Sequence, residues 1–178
     1  MKRAYVVMLA VLAAGLIVDG TPTQSASALT SALAFEADDP ARIAEIVTRR
    51  NPSLSDAESA RIGRAVVRSA AKYNLDPDLV TAVLIVESGG RPWARSPKGA
   101  IGLMQVMPYM VMDMRLAGNL TTIENNVEAG CLILADNIRR LGEDDGISAY
   151  FWGSNIRGVA YLDRVRAARA AVRQLSES

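Results

Sequence analysis

The chain has 178 residues, 20 basic against 19 acidic; half of them are hydrophobic and only 5% aromatic. That length and apolar share suit one packed domain, and so even a charge balance excludes the basic excess expected of a nucleic-acid binder. Histidine is absent and Cys131 is the single cysteine, which excludes Ser-His-Asp and Cys-His catalysis, His-ligated metal sites and an intrachain disulfide.

Lys2 and Arg3 precede an apolar run from Ala4 to Val18, and Ala26-Ser27-Ala28 has the spacing of a small-residue cleavage site. Residues 1–28 therefore read as an export signal peptide, with a periplasmic or secreted location. The run is too short to span a bilayer comfortably, the alternative being an uncleaved anchor. Lys2, Arg3 and Asp19 leave with that segment, so the remainder has equal numbers of basic and acidic residues.

Residues 29–54 form a lead-in with a short helix over 41–50, stopped by Asn51-Pro52. Ser55 and Glu58 match a capping box, and Ile62, Val66, Ser69 and Tyr73 follow at helical spacing, predicting a helix over 56–72 that Asn74 ends. Asp76-Pro77 opens the next helix as cap and first-turn proline. Leu79, Val80, Val83, Leu84, Ile85 and Val86 make it apolar nearly all round, hence central, until Gly89-Gly90 ends it. A Gly-, Pro- and Arg-rich loop spans 88–99, and short helices are expected over Ala100–Met107 and Tyr109–Leu116. Val127, Cys131, Leu134, Ile138 and Leu141 mark one face of a long helix over 124–141, with Cys131 as a buried structural thiol. Glu143-Asp144-Asp145-Gly146 reads as a solvated turn and cap. A last helix over 157–175 turns Val159, Leu162, Val165 and Val172 inward. Its other faces carry Arg157, Arg164, Arg166, Arg169 and Arg173, a solvated face or one set against an anionic polymer. No strand is evident, so the fold class is all-α.

Glu87 is the unusual residue in this series. It is an acid at the end of a nearly all-apolar helix, where apolar surroundings and the negative end of the helix dipole both disfavour its charge. A carboxyl kept protonated near neutral pH is what protonating a leaving group requires. Ser69-Ala70-Ala71-Lys72 fits a serine-lysine pattern, but its companion motifs are missing and it lies on a periodic helix, so it reads as coincidence.

Glu87-Ser88-Gly89-Gly90, followed by Ser96-Pro97-Lys98-Gly99-Ala100-Ile101-Gly102-Leu103-Met104-Gln105-Val106-Met107-Pro108, closely resembles the signature of the soluble lytic transglycosylase (SLT) domain family. The resemblance extends from Leu75-Asp76-Pro77 through Asn126–Gly130 to Ala149-Tyr150, Gly153 and Tyr161. It implies a lysozyme-like helical fold and a catalytic domain over 55–178. It also implies Glu87 as the single catalytic acid and base. Ser88, Met104 and Gln105 would lie beside it along the substrate groove, Tyr150 would bring its hydroxyl to the acid, and Tyr161 would form a groove wall. Where the family reads Ala-Tyr-Asn-Ala-Gly, this chain has Ala149-Tyr150-Phe151-Trp152-Gly153, so the polar contacts of that Asn are lost and Trp152 becomes either a sugar-stacking ring or a core aromatic.

The reaction implied is cleavage of the bond between N-acetylmuramic acid and N-acetylglucosamine in peptidoglycan glycan strands. The acid protonates the glycosidic oxygen, the sugar's acetamide supports the anomeric carbon, and the ionised acid then takes the C6 hydroxyl proton as that oxygen closes onto C1. The product is a 1,6-anhydro sugar, formed without metal or cofactor. A hydrolysing muramidase and a non-enzymatic wall-binding accessory are the alternatives. A monomer is expected. Exported members of the family serve wall turnover or open the wall for a secretion apparatus or appendage, which leaves a partner from such an apparatus open.

Overall fold

A computed structural model describes residues 40–113 and 118–175. The signal-peptide reading of 1–28 lies outside these residues, as does the start of the lead-in. The described residues form seven helices and, apart from isolated bridges, no strand, in keeping with the expected all-α class.

Helix α1 covers residues 40–50 and buries Ile43, Ile46 and Val47. Helix α2 (Asp56–Tyr73) starts as its sequence dictates: the Ser55 side chain accepts from the Glu58 amide, and Glu58 accepts from the Ser55 amide. Asn74 ends α2 in the left-handed conformation, φ 52°, which Asn tolerates better than most side chains. Helix α3 (Pro77–Ser88) is capped by Asp76, whose side chain accepts from the Asp78 amide. Leu79, Val80, Val83 and Leu84 are essentially fully buried, each contributing roughly 2 kcal/mol of transfer free energy. Gly89 closes the helix at φ 63°.

Helix α4 is Pro108–Asp113, starting one residue before the expected Tyr109–Leu116 helix, and residues 114–117 lie outside the described residues. Helix α5 (Ile123–Leu141) is capped by Thr122 and buries Val127, Cys131 and Leu134 on one face. Burial pushes the Cys131 thiol far above its ordinary range, so it is inert. Helix α7 is Ala160–Gln174. The main packed pairs are α2 on α5, α5 on α6 (Glu143–Trp152), and α3 on α7.

Three expectations are overturned. Val159, expected to turn inward, is exposed just ahead of α7, which begins at Ala160 and not at 157. The acidic stretch after α5 is the first turn of α6 rather than a solvated turn. Its three acids favour the positive end of the helix dipole. Gly146, which suggested a turn, sits inside the helix because a Cβ there would come within 2.6 Å of the Ile138 backbone, so it allows α5 and α6 to approach. Ala100–Met107 is not a helix but a looped segment with isolated antiparallel bridges, Arg95 with Ile101 and Ile101 with Val106. Gly102 (φ 77°) and Gln105 (φ 48°) both take left-handed backbone there, which a helix cannot contain. The apolar spacing that suggested a helix comes from Leu103, Met104 and Val106 pointing into the core.

Candidate active site

Glu87 is the penultimate residue of α3, one turn beyond its most buried section. The packing of α3 on α7 brings Tyr161, at the start of α7, against it, and the Tyr161 hydroxyl donates to Glu87 Oε1 at 2.6 Å. Among the described residues no other side chain hydrogen-bonds to Glu87. Burial raises the Glu87 carboxyl above the ordinary carboxylate range, and it outweighs the downward pull of the Tyr161 hydrogen bond and the Arg164 charge. The Tyr161 hydroxyl is pushed up first by its own burial and then by Glu87, so it stays a donor throughout the working pH range.

This geometry exchanges the roles expected of the two tyrosines. Tyr150 lies near enough to feel the charge of Glu87 but makes no hydrogen bond to it: its hydroxyl donates to the Met104 carbonyl at 2.8 Å. Tyr161 is not an open groove wall either, being only 1% exposed. Ser88 is buried as well. Its hydroxyl donates to the Leu84 carbonyl and accepts from the Gly90 amide, so it shapes the turn behind the acid rather than facing a ligand. The Met104 side chain is fully buried. Gln105 is half-buried, and its amide nitrogen donates to the Gly102 carbonyl at 2.9 Å and the Ala94 carbonyl at 3.3 Å.

The loop carrying Gln105 is organised by Asn126 of α5, to which the sequence reading gave no role. Asn126 is 1% exposed. Its Oδ1 accepts from the Met104 amide at 2.8 Å, and its Nδ2 donates to the Ile101 and Leu120 carbonyls at 2.8 and 3.1 Å. A Cβ on Gly102 would lie 2.4 Å from Asn126 Nδ2, so the glycine is required for this approach as well as for its backbone angle. The sequence signals for Asn126 were its place at the start of the Asn126–Gly130 stretch and its polarity in the first turn of a helix whose inner face is otherwise apolar. On the loop's outer side a cleft of about 400 Å³ is lined by Glu58, Arg61, Trp93, Arg95 and Ile101, among others, and includes none of the expected site residues.

The Phe151-Trp152 pair stands beside Tyr161. Phe151 stacks on the Tyr161 ring, centroids 5.0 Å apart and planes 16° from parallel, and meets Trp152 edge-on at 4.9 Å. The Arg164 guanidinium lies 5.9 Å from the Phe151 centroid and 5.6 Å from that of Tyr161. Trp152 Nε1 is buried with no hydrogen-bond partner among the described residues. The other arginines of α7 are paired, Arg169 and Arg173 with Asp76 and Arg166 with Asp144, and Arg157 is exposed ahead of the helix. Ser69 is buried within α2 while Lys72 pairs with Glu128, so the serine-lysine pattern forms no site. Among the described residues no cluster of acids and cysteine is arranged to hold a metal.

The family model of the transglycosylase SLT domain matches residues 64–164. A transglycosylase of Enterobacteria phage PRD1 is 38% identical over 88 residues, covering 49% of this chain and 33% of that protein. An endo-type membrane-bound lytic murein transglycosylase A of Klebsiella pneumoniae is 46% identical over 78 residues, 38% of each chain. The chain thus spans little more than a third of the length of these curated relatives. Among solved structures, an inactive mutant of the lytic transglycosylase Slt from Pseudomonas aeruginosa is similar with a TM-score of 0.46 and 21% identity, over 63% of this chain and 22% of that one.

Proposed function

The chain belongs to the transglycosylase SLT domain family, and on that footing we propose that it cleaves peptidoglycan glycan strands as a lytic transglycosylase, with Glu87 as both acid and base. The observation that carries this reading is the state of Glu87. Burial raises its carboxyl above the ordinary carboxylate range, and one of its oxygens accepts from Tyr161. Two-carboxylate glycosidases divide acid and nucleophile or base between two such groups. The side chains that tune Glu87 are a phenol and a guanidinium, which supports a single-acid route.

In that route Glu87 gives its proton to the glycosidic oxygen, and the bond from that oxygen to muramic acid C1 breaks. The acetamide oxygen of the same sugar supports C1. Glu87, now a carboxylate, takes the proton of the C6 hydroxyl as that oxygen bonds to C1, which returns Glu87 to its acid form and leaves a 1,6-anhydro end. Tyr161 serves both steps: its donated hydrogen bond lowers the cost of the transient carboxylate without supplying a proton. Gln105, on the loop between α3 and α4, keeps its amide oxygen to offer to sugar hydroxyls while its nitrogen is tied to the Gly102 and Ala94 carbonyls.

The reading places the protein in the cell envelope, acting on the wall after export. Its membrane-bound relatives are named for murein, and among the described residues no helix is long and apolar enough to cross a membrane. Mass spectrometry of digested peptidoglycan tests the chemistry. Anhydro ends, lighter than reducing ends by one water, are the expected product. Reducing ends alone would identify a hydrolase, and wall clearance undiminished by Glu87→Gln would remove Glu87 from the mechanism.

A further inference from the structure

Phe151 stands where the family has an amide side chain, and a phenyl ring can neither donate nor accept the hydrogen bonds of an amide. Its surroundings suggest a different task. The ring is 50% exposed, whereas the Tyr161 ring it stacks on is 1% exposed. Solvent, Phe151, Tyr161 and Glu87 therefore follow one another in order, with the last two joined by the 2.6 Å hydrogen bond. Trp152 edge-on and the Arg164 guanidinium beside both rings hold Phe151 in that position. An exposed ring with no other buried partner would add little to stability; as a cover over a phenol that serves an acid, it excludes water where water matters.

Resting on the assignment of Glu87 as the acid, we infer that Phe151 is a positioning residue that keeps water off the Tyr161–Glu87 pair. The groups that face Glu87 are Tyr161 and Arg164 from α7 and Tyr150 from α6. On the loop after α3, the Arg91 guanidinium reaches within 3.9 Å of where a Cβ on Gly89 would stand. The two influences of Phe151 on the acid oppose each other. Admitting water relieves the burial that raises the carboxyl, while loosening the Tyr161 bond removes a pull that lowers it. The first is the expected outcome: with the ring removed, water relieves the burial of the pair and the pH at which Glu87 ionises falls.

The test uses the full chain and the variants Phe151→Asn, Phe151→Leu and Phe151→Tyr, with folding checked by circular dichroism. Carbon-13 NMR titration of the Glu87 carboxyl gives a readout independent of turnover, and kcat and KM on glycan strands are followed against pH. Phe151→Asn is expected to lower the Glu87 midpoint by about half a pH unit or more, with kcat at neutral pH falling roughly 3- to 10-fold and KM nearly unchanged. Phe151→Leu, which keeps an apolar cover, moves the midpoint less, and Phe151→Tyr leaves it in place. An unchanged or raised midpoint in a folded Phe151→Asn protein overturns the inference. So does a rise in KM alone, which would make the ring a sugar platform. Absence of glycan cleavage by the unmodified chain would sink the proposed function, while the titration would still decide whether Phe151 shields Glu87.

Discussion

Glu87 and Tyr161 owe their meeting to two packed helices, whereas Gln105 rides on a loop whose course is set by side-chain amides. On the helical side, α3 and α7 bring the acid and its donor together through apolar packing, and the rings of Phe151 and Tyr161 close the gap to solvent. On the loop side there is no regular element between α3 and α4, and one buried asparagine fixes the backbone at residues 101, 104 and 120. Packing distributes its precision over many weak contacts; a hydrogen-bonded staple concentrates it in one residue. The two sides should therefore fail differently.

The largest effect is expected at the acid itself. Glu87→Gln keeps the shape and an acceptor for Tyr161 but cannot give up a proton, so glycan release should fall by about 10²- to 10⁴-fold. The same change should stabilise the fold at neutral pH by about 1 kcal/mol, because it removes a carboxylate that burial disfavours. The sign follows from linkage. The folded state holds the Glu87 proton more tightly than the unfolded chain, so this group's contribution is full below the ordinary value near 4.5 and is lost as pH rises through the higher folded value. Thermal melts of the two proteins should therefore converge toward acid pH and part toward neutrality; melts equally far apart at all pH values would contradict the burial argument.

Breaking the staple comes next. Asn126→Ala strands the Met104 amide and takes a donor from the Leu120 and Ile101 carbonyls, the latter keeping the Val106 amide, at a cost of about 3 kcal/mol, visible as a lower midpoint in urea. Glycan cleavage should drop with it even where the protein remains folded, since the Gln105 segment loses its anchor. Retained activity in a destabilised Asn126→Ala protein would show that the loop is held by something else.

Tyr161→Phe sharpens the contrast from the helical side. It keeps the stacked ring but removes the donor, so the Glu87 midpoint should rise, opposite in sign to the change expected for Phe151→Asn, and kcat should fall about tenfold. The basic limb of the pH–rate profile reads this directly, and it should move toward higher pH.

The smallest effect is expected at the two-pronged Arg61–Glu124 pair, which joins α2 to α5 on the outer side of the loop. The Arg61 hydrogen bonds, against a smaller effect of burial, bring the Glu124 carboxyl down to about 2. Because the pair is largely solvated, Glu124→Gln should cost only about 0.5 kcal/mol at neutral pH. That difference should disappear as pH falls from near 4.5 toward 2, the depressed-carboxylate case. A larger loss, measured by urea unfolding at both pH values, would mean that the site depends on this pair.

The two sides also differ in how far they were legible. The helical side was written in local signals: the Ser55–Glu58 box, Asp76-Pro77 and Gly89 each act within a few residues, and all appear where expected. Which tyrosine meets the acid was not local. Positions 150 and 161 are both aromatic with a hydroxyl, and only the packing of α7 on α3 and of α6 on α5 decides between them. The loop side misled for the opposite reason. Its inward Leu103, Met104 and Val106 mimic a helical stripe, while the left-handed residues and the distant asparagine that shape it carry no periodic signal. Gly146 misled in the same way, since a glycine chosen for close helix approach is written like one chosen for a turn.

The family match begins at residue 64, inside α2, yet α1 contributes Ile43 and Val47 to the main core and is followed by Asn51, whose side-chain amide donates to the Gly90 carbonyl at 3.0 Å. Shared ancestry and physical cooperativity thus draw different borders on this chain. A fragment cut at the ancestral border would leave that carbonyl without its partner three residues from the acid. The same link ties α1 to both ends of α3, through Arg42 to Asp78 at its start and through Asn51 to Gly90 just past its end.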